Sequence, residues 1–334
     1  METRKVQISG GSTYIVSLPK KWAEKSGIKN GSTVNIIEDR GGNLLVSPQP
    51  ISFKEAVTAE IKITGDESPE AVMRRLVGAY VSGVTGMVVS APKTIPPQIC
   101  RSVREFTRLV MGVEIVEERK DQIRLQDLID PADFSMKEGL KRMAYITEKM
   151  VEDSLKGLKV EDEAMMEDVI ARDLEADRIG WLIHKEYSMV NIFPRLSGKN
   201  MMSSNETLNL LLISRILERV ADHAVGIAET AMKGDVHNQD GISESIYKEG
   251  RDAKKIFSDS IKALFSQDLN LANSVIDRSR HIKERIDPIL RRVYTLPSDE
   301  AVNLAFILNS IERIAAYGAD IGKAVLNRTY SSGR

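Results

Sequence analysis

Hydrophobic and polar residues follow three successive patterns along the chain. Residues 1–50 hold short apolar runs separated by turns such as Gly10-Gly11-Ser12, which predicts two strands, one helical turn and two further strands. Residues 51–130 alternate strand and helix patterns, which predicts a small α/β segment. From Pro131 onward the apolar residues have helical spacing without a convincing strand pattern. The expected fold class is mainly α with a small β domain at the N terminus.

The N-terminal segment has a short helix with recognisable ends. Pro19 suits the first turn of a helix, where its missing N–H would be unpaired in any case, and Gly27 suits the left-handed residue after the end. Fifty residues with strands this short cannot bury enough apolar surface alone. We therefore expect a partner chain, a second copy, to complete this domain.

The helical part contains an internal repeat. Residues 204–210 match residues 298–304 without a gap, and Glu218-Arg219-Val220-Ala221 matches Glu312-Arg313-Ile314-Ala315. Upstream, the helix of Asp173 is expected to correspond to the helix of Asp277. Each copy should therefore hold three helices, with Gly234 to Gly241 joining the two bundles. The predicted domains are residues 1–50, 51–130, 131–234 and 235–330.

Composition narrows the class of protein. The 334 residues carry 47 Lys+Arg against 48 Asp+Glu, 42% hydrophobic residues and 28% charged ones, as in a globular protein of two or three domains. No apolar run approaches the ~18 residues of a spanning helix, so we expect a cytoplasmic protein without membrane insertion. The near-zero net charge excludes a protein that coats nucleic acid with a uniformly basic surface. It is nevertheless uneven, because residues 1–30 hold six basic and two acidic residues, and residues 138–186 hold eight basic and thirteen acidic ones.

Paired carboxylates are the strongest chemical signal. Asp173 with Asp177, and Glu218 with Asp222, are each four residues apart, so each pair can present its oxygens to one cation. Two such pairs on neighbouring helices would form an oxygen-rich site for Fe, Zn, Mn or Mg. His184 on the same face, or His223 beside Asp222, could add a nitrogen ligand. The alternative is that these acids pair with nearby arginines, which are Arg172, Arg178, Arg215 and Arg219.

The second repeat offers a weaker version of this site. Asp277 is followed four residues later by His281, and Glu312 by Ala316 rather than an acid, with Asp320 one turn further on. If metals bind, the first repeat is expected to bind better.

Catalytic signals are missing from the sequence. The glycines of the α/β segment have the wrong spacing for a nucleotide-binding loop, and the chain has neither a nucleophile elbow nor a metalloprotease histidine pair. The single Cys100 is expected to pack in a core, and the α/β segment to act as a spacer or packing domain. We expect that the protein is not an enzyme.

Basic residues bracket the first turn and begin the short helix of the N-terminal segment. Arg4, Lys5, Lys20 and Lys21 lie on a strand-and-turn module, where phosphate contacts with DNA would need them. The alternative is a solvated basic edge that prevents strand pairing. Trp22 is interpreted as a core anchor rather than a base-stacking platform.

Two resemblances join these observations. Residues 4–22, followed by Gly27-Ile28, Gly31 and Val34, resemble an AbrB/MazE-type (SpoVT-AbrB) swapped-hairpin domain, although Ser32 stands where that family commonly has an acid. The resemblance implies a homodimer through interleaved hairpins, and DNA binding. Residues 218–224 and the Asp173/Asp177 spacing resemble PhoU phosphate-uptake regulators, whose two three-helix bundles can hold metal clusters. The domain order resembles archaeal PhoU-like proteins with an N-terminal AbrB domain.

Three hypotheses follow. The first is a homodimeric DNA-binding regulator of phosphate uptake whose helical domain binds metal and senses a signal. The second is an adaptor whose hairpins only dimerise and whose helices dock onto a phosphate transporter or sensor kinase. The third is a carboxylate-bridged metalloenzyme.

Overall fold

The computed structural model describes residues 2–38, 44–48, 58–64, 67–129, 134–192, 202, 204–233 and 241–331. The chain forms two compact units. The first comprises Met1–Glu55 with Phe193–Met202, and the second comprises Ala56–Ile192 with Ser203–Arg334. Among the described helices, none is both long and apolar enough to cross a bilayer.

The first unit has the element order that the sequence predicts. Strands β1 (Gln7–Ser9) and β2 (Thr13–Ile15) form one antiparallel hairpin, α1 spans Lys20–Lys25, and β3 (Asn35–Glu38) pairs antiparallel with β4 (Leu44–Ser47). Pro19 is the N-cap of α1 rather than a residue of its first turn. Gly27 has a φ of +68°, the left-handed conformation expected after the helix end. The predicted turn at residues 40–43 lies outside the described residues.

The first unit has almost no core of its own. Ser47 is the one buried residue in the part of this unit that the structure describes, and Trp22 is only half-buried. Large apolar side chains of its strands, and of the residues next to them, are solvent-exposed instead. They are Val6, Ile8, Tyr14, Ile15, Val16, Ile36 and Leu44. Such a surface is costly in water, and the need for a partner chain stays a prediction that this exposure supports.

The α/β segment alternates strands and helices as predicted. Its elements are β5 (Thr58–Lys62), α2 (Pro69–Val81), β6 (Gly86–Ser90), α3 (Pro97–Leu109), β7 (Val113–Glu118) and β8 (Gln122–Asp127). The sheet order is β5-β6-β8-β7, with β5 parallel to β6 and β8 antiparallel to both of its neighbours. Ser68 caps α2 because its Oγ accepts a hydrogen bond from the N–H of Ala71 at 3.2 Å. Cys100 packs against the core of this segment, as expected.

Six long helices form the remainder of the described residues. The first repeat holds α4 (Met136–Val160), α5 (Glu163–Ile192) and α6 (Ser204–Ala231), and the second holds α7 (Ile242–Ser266), α8 (Leu269–Val293) and α9 (Ser298–Ser331). Three helices per copy were predicted. The predicted connection between the copies falls on residues 234–240, which lie outside the described residues.

Matching local features fix how the first two helices of each repeat correspond. Helices α4 and α7 end at Glu161 and Gln267, which lie 106 positions apart and both have a φ of 56°. The same offset relates two ion pairs, because Arg172 donates to Asp153 and Arg278 donates to Asp259, each at 2.7 Å. The equivalent of Asp173 is therefore Ser279. Asp277, which the sequence analysis compared with Asp173 as part of a weaker second site, lies two positions before Ser279.

The α/β segment packs on α5 of the first repeat. Trp181 of α5 contacts the core of the segment. One turn further along, the Lys185 ammonium forms an ion pair with Asp127 of β8, and these side chains are only 0% and 2% exposed. The Lys185 Nζ also lies 5.2 Å from the centre of the Tyr80 ring. A buried, paired charge thus holds the segment to the helix that carries Asp173 and Asp177.

Candidate functional site

Helices α5 and α6 bring the four predicted carboxylates of the first repeat together. Asp173 and Asp177 lie one turn apart on α5, and Glu218 and Asp222 lie one turn apart on α6. Each α5 carboxyl lies close enough to both α6 carboxyls for their charges to raise its pKa. Asp173, Asp177 and Glu218 are half-buried, whereas Asp222 lies at the exposed edge.

The electrostatics of this cluster are unfavourable without a cation. Burial raises the pKa of Asp173 to about 6, assisted by repulsion from Asp222, Glu218 and Glu229. Burial and the neighbouring charges, Asp173 foremost, raise the pKa of Asp177 to about 7. The pKa of Asp222 is also raised, by partial loss of hydration and by the charge of Glu218, against a smaller opposing effect of Arg219. A bound cation would relieve this repulsion.

One buried oxygen of the cluster lacks a hydrogen-bond partner. The Oδ1 of Asp173 is fully shielded from solvent, and among the described residues no donor reaches it. An unpaired buried oxygen is unfavourable, and a cation or a donor at this position would satisfy it. The donor set therefore fits a hard or borderline metal ion.

Arg215 supplies part of the missing positive charge. Its Nη1 donates to the Oε2 of Glu218 at 2.8 Å, and its Nη2 lies 3.0 Å from the Nδ1 of His184. Burial, followed by the charge of Arg215, lowers the pKa of His184, so the imidazole is neutral and its Nδ1 accepts the hydrogen bond. Both sequence alternatives are thus present, since a carboxylate cluster coexists with one arginine ion pair. Arg172 instead pairs outside the cluster, with Asp153 and Asp168.

His223 does not join the cluster. Its Nδ1 lies 3.2 Å from the Oγ of Ser310 on α9, and its ring is 5.9 Å from that of Tyr317. Burial, followed by the charge of Arg313, lowers its pKa. Consecutive residues on a helix point about 100° apart, so being next to Asp222 in sequence turns His223 toward the second repeat.

The weaker site predicted in the second repeat is not assembled. Asp277 and His281 are 70% and 65% exposed and face local partners, Arg280 and Glu284. Asp320 pairs with Lys323 at 2.9 Å. Ser279 of α8 hydrogen-bonds to α9, because its Oγ donates to the carbonyl of Ala315 at 2.9 Å. The structural equivalents of Asp173, Asp177, Glu218 and Asp222 are Ser279, Lys283, Glu312 and Ala316.

The carboxylates of the first-repeat cluster do not converge on one point where a metal ion could bind. Within the described ranges, no three or more His, Cys, Asp or Glu side chains are arranged to hold an ion. Metal binding at Asp173, Asp177, Glu218 and Asp222 therefore stays a prediction. It would require Arg215 to release Glu218 and the carboxylates to turn inward.

A comparison with protein families identifies the helical part. The model of the PhoU domain matches residues 140–231 and 246–325, which together make up just over half of the chain. The chain belongs to the PhoU domain family. The match includes both halves of the internal repeat, so both copies of the three-helix unit are PhoU repeats.

Individual PhoU relatives agree with this assignment. A PhoU homolog of Clostridium acetobutylicum, described as a phosphate-specific transport system accessory protein, is 23% identical over 184 residues, which are 52% of this chain and 82% of that protein. The crystal structure of PhoU from Pseudomonas aeruginosa matches with a TM-score of 0.52 and 21% identity, covering 59% of this chain and 96% of that one. The phosphate transport system regulatory protein PhoU from Streptococcus pneumoniae matches with a TM-score of 0.50 and 16% identity, covering 57% and 91%. These structures show the PhoU fold.

A second family model matches the N terminus of this PhoU chain. It describes the antidote-toxin recognition domain of MazE, a bacterial antitoxin, and covers residues 7–53. The predicted DNA-contacting residues lie in this unit or just before the match. Lys5 and Lys21 are exposed, Lys20 lies 3.8 Å from Glu24, and Arg4 pairs with Glu2 at 2.7 Å.

Sequence reasoning missed two charged features of the helical part. Glu229 acts on Asp173 from seven residues beyond Asp222, and this two-turn spacing on one helix face could have revealed it. The pair of Asp127 with Lys185 joins two different elements, and no local spacing indicates it.

Proposed function

We propose that the chain is a homodimeric, DNA-binding regulator of phosphate uptake, with a metal-binding PhoU sensor. The observation that best supports this proposal is that one chain joins a MazE-type unit to PhoU repeats. The first repeat also holds a carboxylate cluster whose members repel one another. The described relatives act in phosphate transport as accessory or regulatory proteins. The proposed role requires no catalysis.

The N-terminal unit would bind DNA as a dimer. The exposed apolar side chains of β1 and β2, such as Ile8 and Tyr14, would be covered by the second copy. Doubling the unit also doubles the number of basic side chains available for phosphate contacts. Arg4, Lys5, Lys20 and Lys21 would make these contacts, with Arg4 and Lys20 exchanging their exposed glutamate partners for phosphate.

The acidic cluster would bind Fe, Zn, Mn or Mg through Asp173, Asp177, Glu218 and Asp222. A bound metal would neutralise the repulsion between these carboxylates and link α5 to α6. The guanidinium of Arg215 would move away from Glu218, since a second positive charge at that carboxylate would then be unfavourable. The chain's own residues would thereby convert metal occupancy into a change in the packing of two helices.

DNA binding is tested by fluorescence anisotropy with DNA from upstream of the protein's own gene. Affinity should fall with salt, with a log–log slope of about −0.9 per neutralised phosphate. Replacing Lys20 and Lys21 by Ala should weaken binding to all sequences similarly, because phosphate contacts position rather than specify. Replacing Lys137 and Lys141 of α4 by Ala is the charge-matched control. Absence of salt-sensitive binding would contradict DNA recognition.

The adaptor is the second candidate, favoured by the accessory role printed for the Clostridium relative. The two candidates differ in the effect of Lys20→Ala/Lys21→Ala in cells. A DNA-binding regulator should lose promoter occupancy and phosphate-dependent transcription together. An adaptor should retain the control of phosphate uptake with this variant.

Metal binding is tested by elemental analysis of protein purified without chelator, and by thermal unfolding. A metal at 100 times its Kd should stabilise the wild type by about 2.7 kcal/mol. Asp173→Asn/Asp177→Asn should abolish both the bound metal and this stabilisation. Lys283→Gln/Glu312→Gln, at equivalent positions of the second repeat, is the control. Metal content unchanged by the Asn substitutions would rule out this site.

A further inference from the structure

A groove on the second repeat has a charged lining that the proposed function does not use. It lies between α7 and α8, has a volume of about 200 Å³, and is lined by Asp252, Lys255, Ile256, Arg278, His281 and Arg285. This volume is below the roughly 300–1,000 Å³ of pockets for drug-sized ligands. The groove suits a small ligand, and its lining is mostly basic.

Arg285 is held in place by two carboxylates, the buried Glu249 and Asp252, which also lines the groove. Its Nε donates to both carboxylate oxygens of Glu249, at 3.0 and 2.8 Å, and its Nη2 donates to Asp252 at 2.9 Å. Glu249 is only 3% exposed, so this guanidinium is anchored to a buried group. An arginine fixed in this way loses little freedom when it binds an anion.

Two further cations face the groove. Arg278 donates through its Nη2 to Asp259 at 2.7 Å and through its Nε to the carbonyl of Ser274 at 3.4 Å. Within the described residues, the Nη1 atoms of Arg278 and Arg285 make no hydrogen bond, and Lys255 has neither a hydrogen bond nor an ion pair. Donors on three cationic side chains are therefore available to a ligand.

The first repeat shows that the fold does not require these charges. At the offset of 106 residues, Glu249, Asp252 and Arg285 correspond to Met143, Ile146 and Ile179. All three apolar residues are buried, and they fill the same layer between the first two helices. Apolar residues of similar volume generally stabilise a protein as well as a buried ion pair does, so stability alone does not explain the charged layer.

We propose that the groove between α7 and α8 binds a small oxyanion of the phosphate or sulfate type. The planar guanidiniums of Arg278 and Arg285 match the oxygens of a tetrahedral anion, and Lys255 adds a third positive charge at the rim. The carboxylates of Glu249 and Asp259 hold the arginines in position. This site lies on different helices from the acidic cluster. A test of anion binding is therefore independent of whether the protein binds metal or DNA.

The decisive experiment is isothermal titration of the full chain with inorganic phosphate, and separately with sulfate, at constant ionic strength set by chloride. Saturable binding of either anion is expected. The variant Glu249→Met/Asp252→Ile/Arg285→Ile copies the apolar layer of the first repeat. It should unfold at a temperature no lower than the wild type and should lose the binding.

A second variant keeps the test valid if that triple substitution does not fold. Lys255→Met removes an exposed, unpartnered cation and should weaken anion binding roughly tenfold. Lys149→Met, the equivalent change in the first repeat, should leave the affinity unchanged. Binding of neither anion by the wild type, or unchanged affinity after Lys255→Met or in the folded triple variant, would overturn the proposal.

Discussion

The two PhoU repeats share their helix ends but differ in their charged interiors. Both end the first helix in a left-handed residue, begin the second with an aspartate cap, and join these helices by an Arg–Asp ion pair. They differ where the first repeat clusters carboxylates between α5 and α6, and where the second has a charged layer between α7 and α8. The shared features belong to the three-helix unit that both repeats form. The differing ones are therefore where function is to be sought.

The repeats also differ in what covers their second helix. Trp181 and Lys185 of α5 are covered by the α/β segment, whereas the equivalent residues of α8, Asp287 and Arg291, are exposed. The same surface of the second helix is thus buried against the α/β segment in the first repeat. In the second repeat it is charged and solvent-exposed. Attachment of the α/β segment, rather than the PhoU fold itself, accounts for the buried lysine.

The largest expected effect comes from breaking that attachment. Asp127→Ala leaves the fully buried Lys185 without its counter-charge, which should lower the free energy of unfolding by about 3–5 kcal/mol. Urea denaturation measures the loss. Asp127→Leu/Lys185→Met should restore most of it, because no buried charge is then left unpaired.

The matched control lies in the second repeat. Arg291→Met changes the exposed equivalent of Lys185 and should alter stability by less than about 0.5 kcal/mol. Equal losses for Asp127→Ala and Arg291→Met would contradict the difference between the two surfaces.

An intermediate effect is expected from pH, through the paired carboxylates of the first repeat. The raised pKa values of Asp173 and Asp177 mean that the native state binds more protons than the unfolded state between about pH 4 and pH 7. In metal-free protein, these two carboxyls should therefore make stability fall as pH rises through this range, against an opposite contribution of His184 and His223, whose pKa values are lowered. The loss should total roughly 2 kcal/mol after allowance for solvent screening. Chemical denaturation at pH 5 and pH 8 measures it.

Substitution assigns this slope to its source. Asp173→Asn/Asp177→Asn should reduce the difference between the two pH values, and should make the metal-free protein more stable than the wild type at pH 8. Lys283→Gln, at the position equivalent to Asp177, should leave the slope unchanged. A slope that survives the Asn substitutions would place its origin elsewhere.

The smallest effect tests what the repeats have in common. Asp162 accepts a hydrogen bond from the N–H of Met165 at 3.0 Å, and Asp268 accepts one from Leu271 at 3.0 Å, in equivalent helix caps. Asp162→Ala and Asp268→Ala should each cost about 1 kcal/mol of unfolding free energy. Thermal unfolding of the two variants should agree closely, and clearly unequal losses would weaken the equivalence at the offset of 106 residues.

Local patterns predicted the helices and strands, and the four carboxylates of the first repeat. The strand and helix order and the four-residue spacing of the first-repeat acids depend on near neighbours, and the sequence contains them directly. Asp277 was compared with Asp173 because both are aspartates, whereas the offset of 106 residues relates Asp173 to Ser279. The residues that follow α4 and α7, and the Arg278–Asp259 pair, support this offset in the fold.

Long-range pairings could not be predicted in the same way. Asp127 lies on a strand and Lys185 on a helix. In its own stretch of sequence, neither residue differs from an ordinary surface charge. The charged layer of Glu249 and Arg285 likewise spans two helices, 36 positions apart. Only packing decides which of many charged residues lose their water and meet each other.

Helix α6 presents neighbouring residues to two different regions. Asp222 borders the acidic cluster, while His223, the next residue, is hydrogen-bonded to Ser310 in the second repeat. Because a helix turns as a rigid rod over a few turns, any rotation of α6 about its own axis displaces both residues together. A rotation of α6 that begins at the cluster would therefore also move the His223–Ser310 contact with α9. Helix α6 thus connects the acidic cluster of the first PhoU repeat to the second repeat.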